Sequence, residues 1–361
     1  MMTMPPPVPI TPAGPAVIDT ALTDTAWPDT TVTDTARALV ADDKGLLAID
    51  ESIPTCNKRF AQLAIPQTEQ ARRTYRELIV TTPQLGESIS GVIVCDETIR
   101  QRTAHEVPFL SVLRDAGIAT GIKVDLGATP MAGHRGETVT EGLDGLRARL
   151  AEYRQLGAGF AKWRAVFTIG AATPSRVCMI ANAHALARYA ALCQEAGMVP
   201  VVEPEVLMAG EHTLSRCGRV TEDVLRLVFD QLEEQGVVLE GMLLKPNMIL
   251  PGRDCLIQDP VQAVADATRT CLRRAVPAAV AGIVFLSGGQ SGDLATIRLA
   301  AVNDGTGSPL PWPVAFSFGR AIQQPALTIW DGRDANVTRA QQAIQRRVTA
   351  NRNARRGTDF E

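Results

Sequence analysis

Residues 241–250 read GMLLKPNMIL, an apolar run broken by Lys245 directly before Pro246. A buried ammonium is costly unless it is paired or neutral. A lysine at a strand end whose head group reaches solvent would explain the residue on its own. A catalytic amine is the other reading, and the rest of the chain decides between them. Seven further short apolar runs have the same form: GLLAID (45–50), GVIVCDE (91–97), GIKVDLG (121–127), FAKWRAVF (160–167), VPVVEPEV (199–206), GIVFLS (282–287) and VAFSFG (314–319). Each has the length and β-branched content of a parallel strand buried on both faces.

Amphipathic helical patterns separate the runs. The spacing predicts helices over 140–157, over 175–197 with Ser175 as cap and Gly197 at the close, and over 221–236 with Thr221 as cap and Gly236 at the end. Two more follow at 259–275 and 293–302. Eight strands alternating with helices at a period of 30–45 residues predict an α/β fold, a single-domain (β/α)8 TIM barrel. An open doubly wound sheet is the competitor, but no GxGxxG turn follows the first strand. The predicted organisation is a flexible Pro/Thr-rich extension (1–33), the barrel (34–334), then a helix with a polar tail (335–361).

Composition narrows the function. The chain of 361 residues has a net charge of −3, which carries no nucleic-acid footprint. No apolar run approaches the roughly 20 residues needed to span a bilayer. The first 36 residues lack Lys and Arg, so neither a secretory signal nor an organellar presequence is expected. The seven Cys are scattered and never spaced as CxxC, and none of the four His forms an HxH or HxxxH pair. Disulfides and a metal site are therefore not expected, and a reduced, cytoplasmic setting is.

Charge collects at one end of the predicted strands. Asp50 ends the first and Lys123 with Asp125 the third; Lys162 and Arg164 lie in the fourth, Glu203 and Glu205 end the fifth, and Lys245 ends the sixth. Residues two apart share a strand face. Barrel enzymes place their catalytic groups at the C-terminal strand ends. A polar strand end means little alone; five strands carrying charge, several at i, i+2, predict an active site. FLSGGQSG (285–292) offers Ser287, Gly288 and Gly289, and SFGRA (317–321) offers Ser317, the Gly319 backbone and Arg320, as an anion cradle. Lys123, Arg164, Lys58 and Arg59 are candidates for a second phosphate, which implies a ligand anionic at both ends. Lys162 is the cation expected to disfavour protonation of Lys245 and so to leave a nucleophilic amine suited to Schiff-base chemistry.

With KGLLAIDES, GIKVDLG, AKWRAVF, VVEPEVL, LLKPNM, FLSGGQS and FSFGRA in that order, the chain resembles the class I fructose-bisphosphate aldolases over roughly residues 34–332. The resemblance implies reversible cleavage of fructose 1,6-bisphosphate to dihydroxyacetone phosphate and glyceraldehyde 3-phosphate without metal or other cofactor. It implies Lys245 as Schiff-base lysine, Glu203 as acid/base, its neighbour Glu205 as the residue that holds the lysines in place by charge pairing, Asp50 as the group assisting C3–C4 cleavage, and Lys162 as stabiliser of developing charge. It implies Arg164 at the far phosphate with Lys123 beside it, Ser287, Gly288, Gly319 and Arg320 at the C1 phosphate, and Lys58 and Arg59 as a substrate-contacting pair. It also implies a homo-oligomer, a tetramer by family habit. The chain departs from the family pattern at Ile53, Pro54 and Phe318. It ends RRGTDFE, where the animal enzymes have a tyrosine that speeds enamine protonation; the last tyrosine here is Tyr189 and Phe360 has no phenol. A non-catalytic sugar-bisphosphate binder or scaffold on the same fold is the alternative, and fructose 1-phosphate or sedoheptulose bisphosphate are alternative substrates.

Overall fold

The computed structural model describes residues 31–305 and 309–357. The expected extension therefore lies outside the described residues up to residue 30; Thr31 already caps the first helix, its side chain accepting from the Asp34 N–H. The barrel strands are β1 (Gly45–Ala48), β2 (Ile89–Val94), β3 (Ala119–Lys123), β6 (Phe160–Phe167), β7 (Val199–Val206), β8 (Leu243–Leu244), β9 (Gly282–Phe285) and β10 (Val314–Phe318). They close in sequence order, all parallel, with β10 pairing back to β1. Between β3 and β6 the chain adds an antiparallel hairpin of β4 (Gly127–Pro130) and β5 (Thr138–Glu141). The expected eight-stranded barrel is what the chain forms. Among the described residues no helix is long and apolar enough to cross a membrane.

Two helix starts differ from expectation. The helix predicted from 140 begins at Leu146, because Gly142 and Gly145 adopt positive φ and Thr140 and Glu141 belong to β5. The helix predicted from 221 begins at Leu214, with Thr213 as its cap accepting from the Arg216 N–H. Thr221 is an interior residue, buried and hydrogen-bonded to Asn247. Gly218 stays inside this helix, where it sits against Ile249. The other helices, Arg176–Glu195, Val261–Ala275 and Gly292–Asn303, fall where the spacing places them, and Val337–Arg355 is the predicted last helix.

Side chains inside the barrel follow the strand period of two. Going up four of the strands they change from apolar to charged: Leu46, Ala48, then Asp50; Phe160, then Lys162 and Arg164; Val199, Val201, then Glu203 and Glu205; Leu243, then Lys245. The apolar lower layer packs onto the helix Val32–Leu39, which closes the barrel floor with Ala36 and Leu39. At the strand bases Arg355 donates to the carbonyls of Val314, Lys44 and Val40. Phe160 fills the centre of this layer. A Cβ on Gly121 would stand 2.1 Å from its ring, so the neighbouring strand needs a glycine there. Outward residues such as Trp163, stacked on Tyr189 at 5.6 Å, form the larger core against the helices.

Truncating the floor is expected to be severe. Phe160→Ala should cost about 3–5 kcal/mol, as other buried aromatic truncations do, read as a shift in urea-denaturation midpoint. A cost under about 1 kcal/mol would mean that the floor is not packed around this ring.

Candidate active site

The charged upper layer surrounds a cavity of about 370 Å³. Strand register builds it: Lys123 on β3 stands beside Lys162 on β6, and Arg164 on β6 beside Glu203 on β7. β8 ends at Leu244, yet the Lys245 N–H still bonds to the Val202 carbonyl at 2.8 Å, which holds the lysine in the barrel wall. Lys245 is buried, and its Nζ lies 3.3 Å from Glu203 Oε1. Besides the expected cation Lys162, the amine thus has a carboxylate, Glu203, within ion-pair distance.

Lys162 is the hub. Its Nζ lies 2.7 Å from Asp50, 3.4 Å from the second oxygen of Glu203 and 3.9 Å from Asp125. Burial alone would lower the pKa of this ammonium, but the three carboxylates outweigh it and hold the group well above the ordinary lysine range. The reciprocal effect acts on Asp50. Burial would raise its pKa, while Lys162, Lys245 and Lys123 bring it down to about 2. Both groups therefore stay charged in a site that would reject either alone.

Asp125 was noted in the sequence only as a strand-end charge, and it proves to be a structural partner of the site. It pairs with Lys123 at 2.7 Å and accepts from the Arg164 N–H at 3.3 Å. Its spacing of two from Lys123 was the available signal. Glu205, expected to hold the lysines by charge pairing, pairs instead with Arg164 at 2.5 Å, because Arg164 is in register with Glu203, which is two residues from Glu205 on the same face of β7. On the opposite wall Gly288 and Gly289 take successive positive φ values, a conformation that turns backbone N–H groups to one side and suits an anion. Arg320 opens the helix Arg320–Trp330 next to Gly319. Ser317 lines the same cavity, and its buried Oγ has no hydrogen-bond partner. A buried hydroxyl without a partner is costly, and the cavity is the side from which a partner can reach it.

Lys58 and Arg59 do not line this cavity. Both lie on the helix Ile53–Ala61; Lys58 faces solvent, and Arg59 turns inward to pair with Glu51 and to donate to Gln323 at 3.2 Å. Helical geometry explains the split, since adjacent residues point about 100° apart. Glu51 also pairs with Arg76 at 2.8 Å. Burial would raise its pKa, but the two arginines hold it below the ordinary carboxylate value. The residues that do line this side are Glu51, Ser52 and Thr55, which the sequence reading did not single out. None of the three tyrosines lines the cavity; Tyr189 is buried behind the wall, donating to the Ala161 carbonyl at 2.7 Å. Phe360 lies outside the described residues.

Comparison with known proteins places the chain among relatives. The family model for class-I fructose-bisphosphate aldolase matches residues 31–360. A probable class 1 fructose-bisphosphate aldolase of Xylella fastidiosa is 55% identical over 319 residues, 88% of this chain and 95% of that protein. The cytoplasmic isozyme of fructose-bisphosphate aldolase from Cicer arietinum is 49% identical over 316 residues, 87% of this chain and 88% of that one. The solved fructose-bisphosphate aldolase of Plasmodium falciparum, in complex with TRAP and a small-molecule inhibitor, superposes with a TM-score of 0.90. It shares 41% identity and covers 95% of this chain and 97% of its own.

The Asp50–Lys162 pair should be visible in acid stability. A carboxyl with a depressed native pKa stabilises the fold fully above its unfolded value near 3.8 and loses that contribution as pH falls toward about 2. The stake is about 2 kcal/mol, from a shift of nearly two pH units. Urea midpoints measured from pH 5 to pH 2 should therefore fall more steeply for the wild type than for Asp50→Asn. Parallel profiles would mean that Asp50 is not held ionised by its neighbours.

Proposed function

This chain belongs to the class-I fructose-bisphosphate aldolase family, and from that premise we propose how its own residues cleave fructose 1,6-bisphosphate. The observation that carries the reading is one carboxylate, Glu203, shared between Lys245 at 3.3 Å and Lys162 at 3.4 Å in a buried mouth.

The Lys245 amine attacks the C2 carbonyl, and Glu203 returns a proton to the carbinolamine oxygen so that water leaves and a protonated imine forms. Asp50 accepts the C4 hydroxyl proton. The electrons of the C3–C4 bond move into the imine, giving an enamine on Lys245 and free glyceraldehyde 3-phosphate. Lys162, fixed between Asp50 and Glu203, stabilises charge as it develops, and needs little reorganisation to do so because its partners hold it already. The enamine takes a proton at C3 from a carboxyl of the mouth or from water. Hydrolysis of the imine then releases dihydroxyacetone phosphate. Glu205 holds Arg164, which with Lys123 faces the far phosphate, while Ser287, Gly288, Gly289, Ser317, Gly319 and Arg320 receive the C1 phosphate. Arg59 acts from behind this wall, through Glu51 and Gln323. A cytoplasmic setting and a homotetramer are proposed on the family resemblance; cytosolic plant relatives support the first.

Incubation with fructose 1,6-bisphosphate and borohydride, with EDTA throughout, should leave one reduced adduct, mapping to Lys245. Lys245→Met should form no adduct and lose on the order of 10³-fold or more in kcat. Glu203→Gln should lose about 10²–10⁴-fold while keeping the fold. Cleavage without an adduct, abolished by EDTA, would replace the imine mechanism with a metal-dependent one.

A further inference from the structure

The mouth is electrostatically two-sided. Toward β3, β6 and β7 every cation faces a carboxylate: Lys123 has Asp125, Lys162 has Asp50, Arg164 has Glu205 and Lys245 has Glu203. Around the turn Ser287–Gln290 the balance is different. Three arginines converge there, and among the described residues none stands within ion-pair distance of a carboxylate. Arg320 lines the cavity beside Gly289. Arg253 comes from the loop after β8 and places Nη2 3.2 Å from where a Cβ on Gly289 would project. Backbone bonds fix that loop: Arg253 N–H to the Met208 carbonyl and Gly252 N–H to the His212 carbonyl, both at 2.7 Å. Arg298 approaches from beneath, on the helix Gly292–Asn303. It is 6% exposed, donates Nη1 to Gln290 at 2.8 Å, and leaves Nε without a partner. Gln290 in turn donates to the Ser287 carbonyl at 3.0 Å, so Arg298 braces the turn through one side chain.

A buried guanidinium without a counter-charge is costly, and a bound anion would offset that cost. Resting on the aldolase reading, we propose that Arg253 and Arg298 are further determinants of phosphate-ester recognition at this turn. Arg253 is a second guanidinium contacting the C1 phosphate from the loop after β8. Arg298 is a positioning residue that holds the turn through Gln290 and supplies buried positive charge beneath it. The opposite rim, where cations are already neutralised, is left to bind the far phosphate more weakly. Discrimination between substrates with and without a C1 phosphate then falls on this turn.

Steady-state kinetics on fructose 1,6-bisphosphate and fructose 1-phosphate, with inorganic phosphate as competitor, test both residues. Arg253→Ala should raise KM for both sugars about 5- to 20-fold with kcat changed less than about twofold, and Arg253→Lys should recover most of the loss. Arg298→Met should raise KM and weaken phosphate inhibition by a similar factor while its urea midpoint stays level or rises, because an unpaired buried charge has been removed. Unchanged KM for fructose 1-phosphate in either variant would overturn the assignment of that residue. A lowered urea midpoint for Arg298→Met with phosphate inhibition intact would make Arg298 structural only. If the wild type cleaves neither sugar, the aldolase reading fails separately. Calorimetric titration of inorganic phosphate into the wild type and both variants would then still decide whether the arginines bind it.

Discussion

Lys162 lies within 4 Å of three carboxylates, at 2.7, 3.4 and 3.9 Å, and the upper half of the barrel depends on that arrangement. A single buried lysine would lose its proton or unfold its surroundings. Surrounded by Asp50, Glu203 and Asp125, it keeps its charge and keeps theirs, with Asp50 held near the bottom of the carboxylate range. The same Glu203 turns its other oxygen to Lys245. The proposed nucleophile, Lys245, and its proposed proton carrier, Glu203, are therefore placed by the interaction that makes the buried charges tolerable in the first place.

This charged layer can exist only because the layer beneath it is dry and closed. On β1, β3, β6, β7 and the run through Lys245 the inward face begins with Leu, Val, Ala or Phe and ends with an acid or a base, and the helix Val32–Leu39 seals the lower end. Lys162, Glu203, Asp125 and Lys245 are buried, so their interactions act in a low dielectric and are stronger for it. Rigidity follows from the same packing. Phe160 occupies the space that Gly121 leaves, two register positions below the pair of Lys123 and Lys162 and on the same face.

Across the mouth the chain uses its cations differently. On one rim they are paired with carboxylates; around Ser287–Gln290, the rim proposed for an anion, the arginines have no carboxylate partner among the described residues. In the proposed mechanism a phosphorylated ketose presents its carbonyl to the first group and its C1 phosphate to the second, so the two halves of the mouth would match the two ends of its reacting part. Strong phosphate contacts away from the breaking bond let binding energy fix the position of C2 and C3.

Much of this was legible in the chain itself. Period-two alternation in FAKWRAVF and VPVVEPEV put Lys162 with Arg164, and Glu203 with Glu205, on shared faces, and eight such runs between helical patterns implied the closed barrel. That information is local, because side-chain direction along a strand follows from backbone geometry alone. The family motifs added roles to positions. Three things were decided only by the tertiary structure. Arg59 could not be told from Lys58 until the helix carrying them was set against Gln323 and Glu51, which turned one inward and left the other in solvent. Asp125 became part of the site only when β3 and β6 came into register. Arg253 and Arg298 sit in a loop and a helix with no motif of their own, and meet the same turn only because β8 and β9 are neighbours in the barrel. A chain's sequence states which groups share a face; which charge meets which counter-charge depends on distances between segments far apart in sequence, and those distances exist only once the barrel has closed.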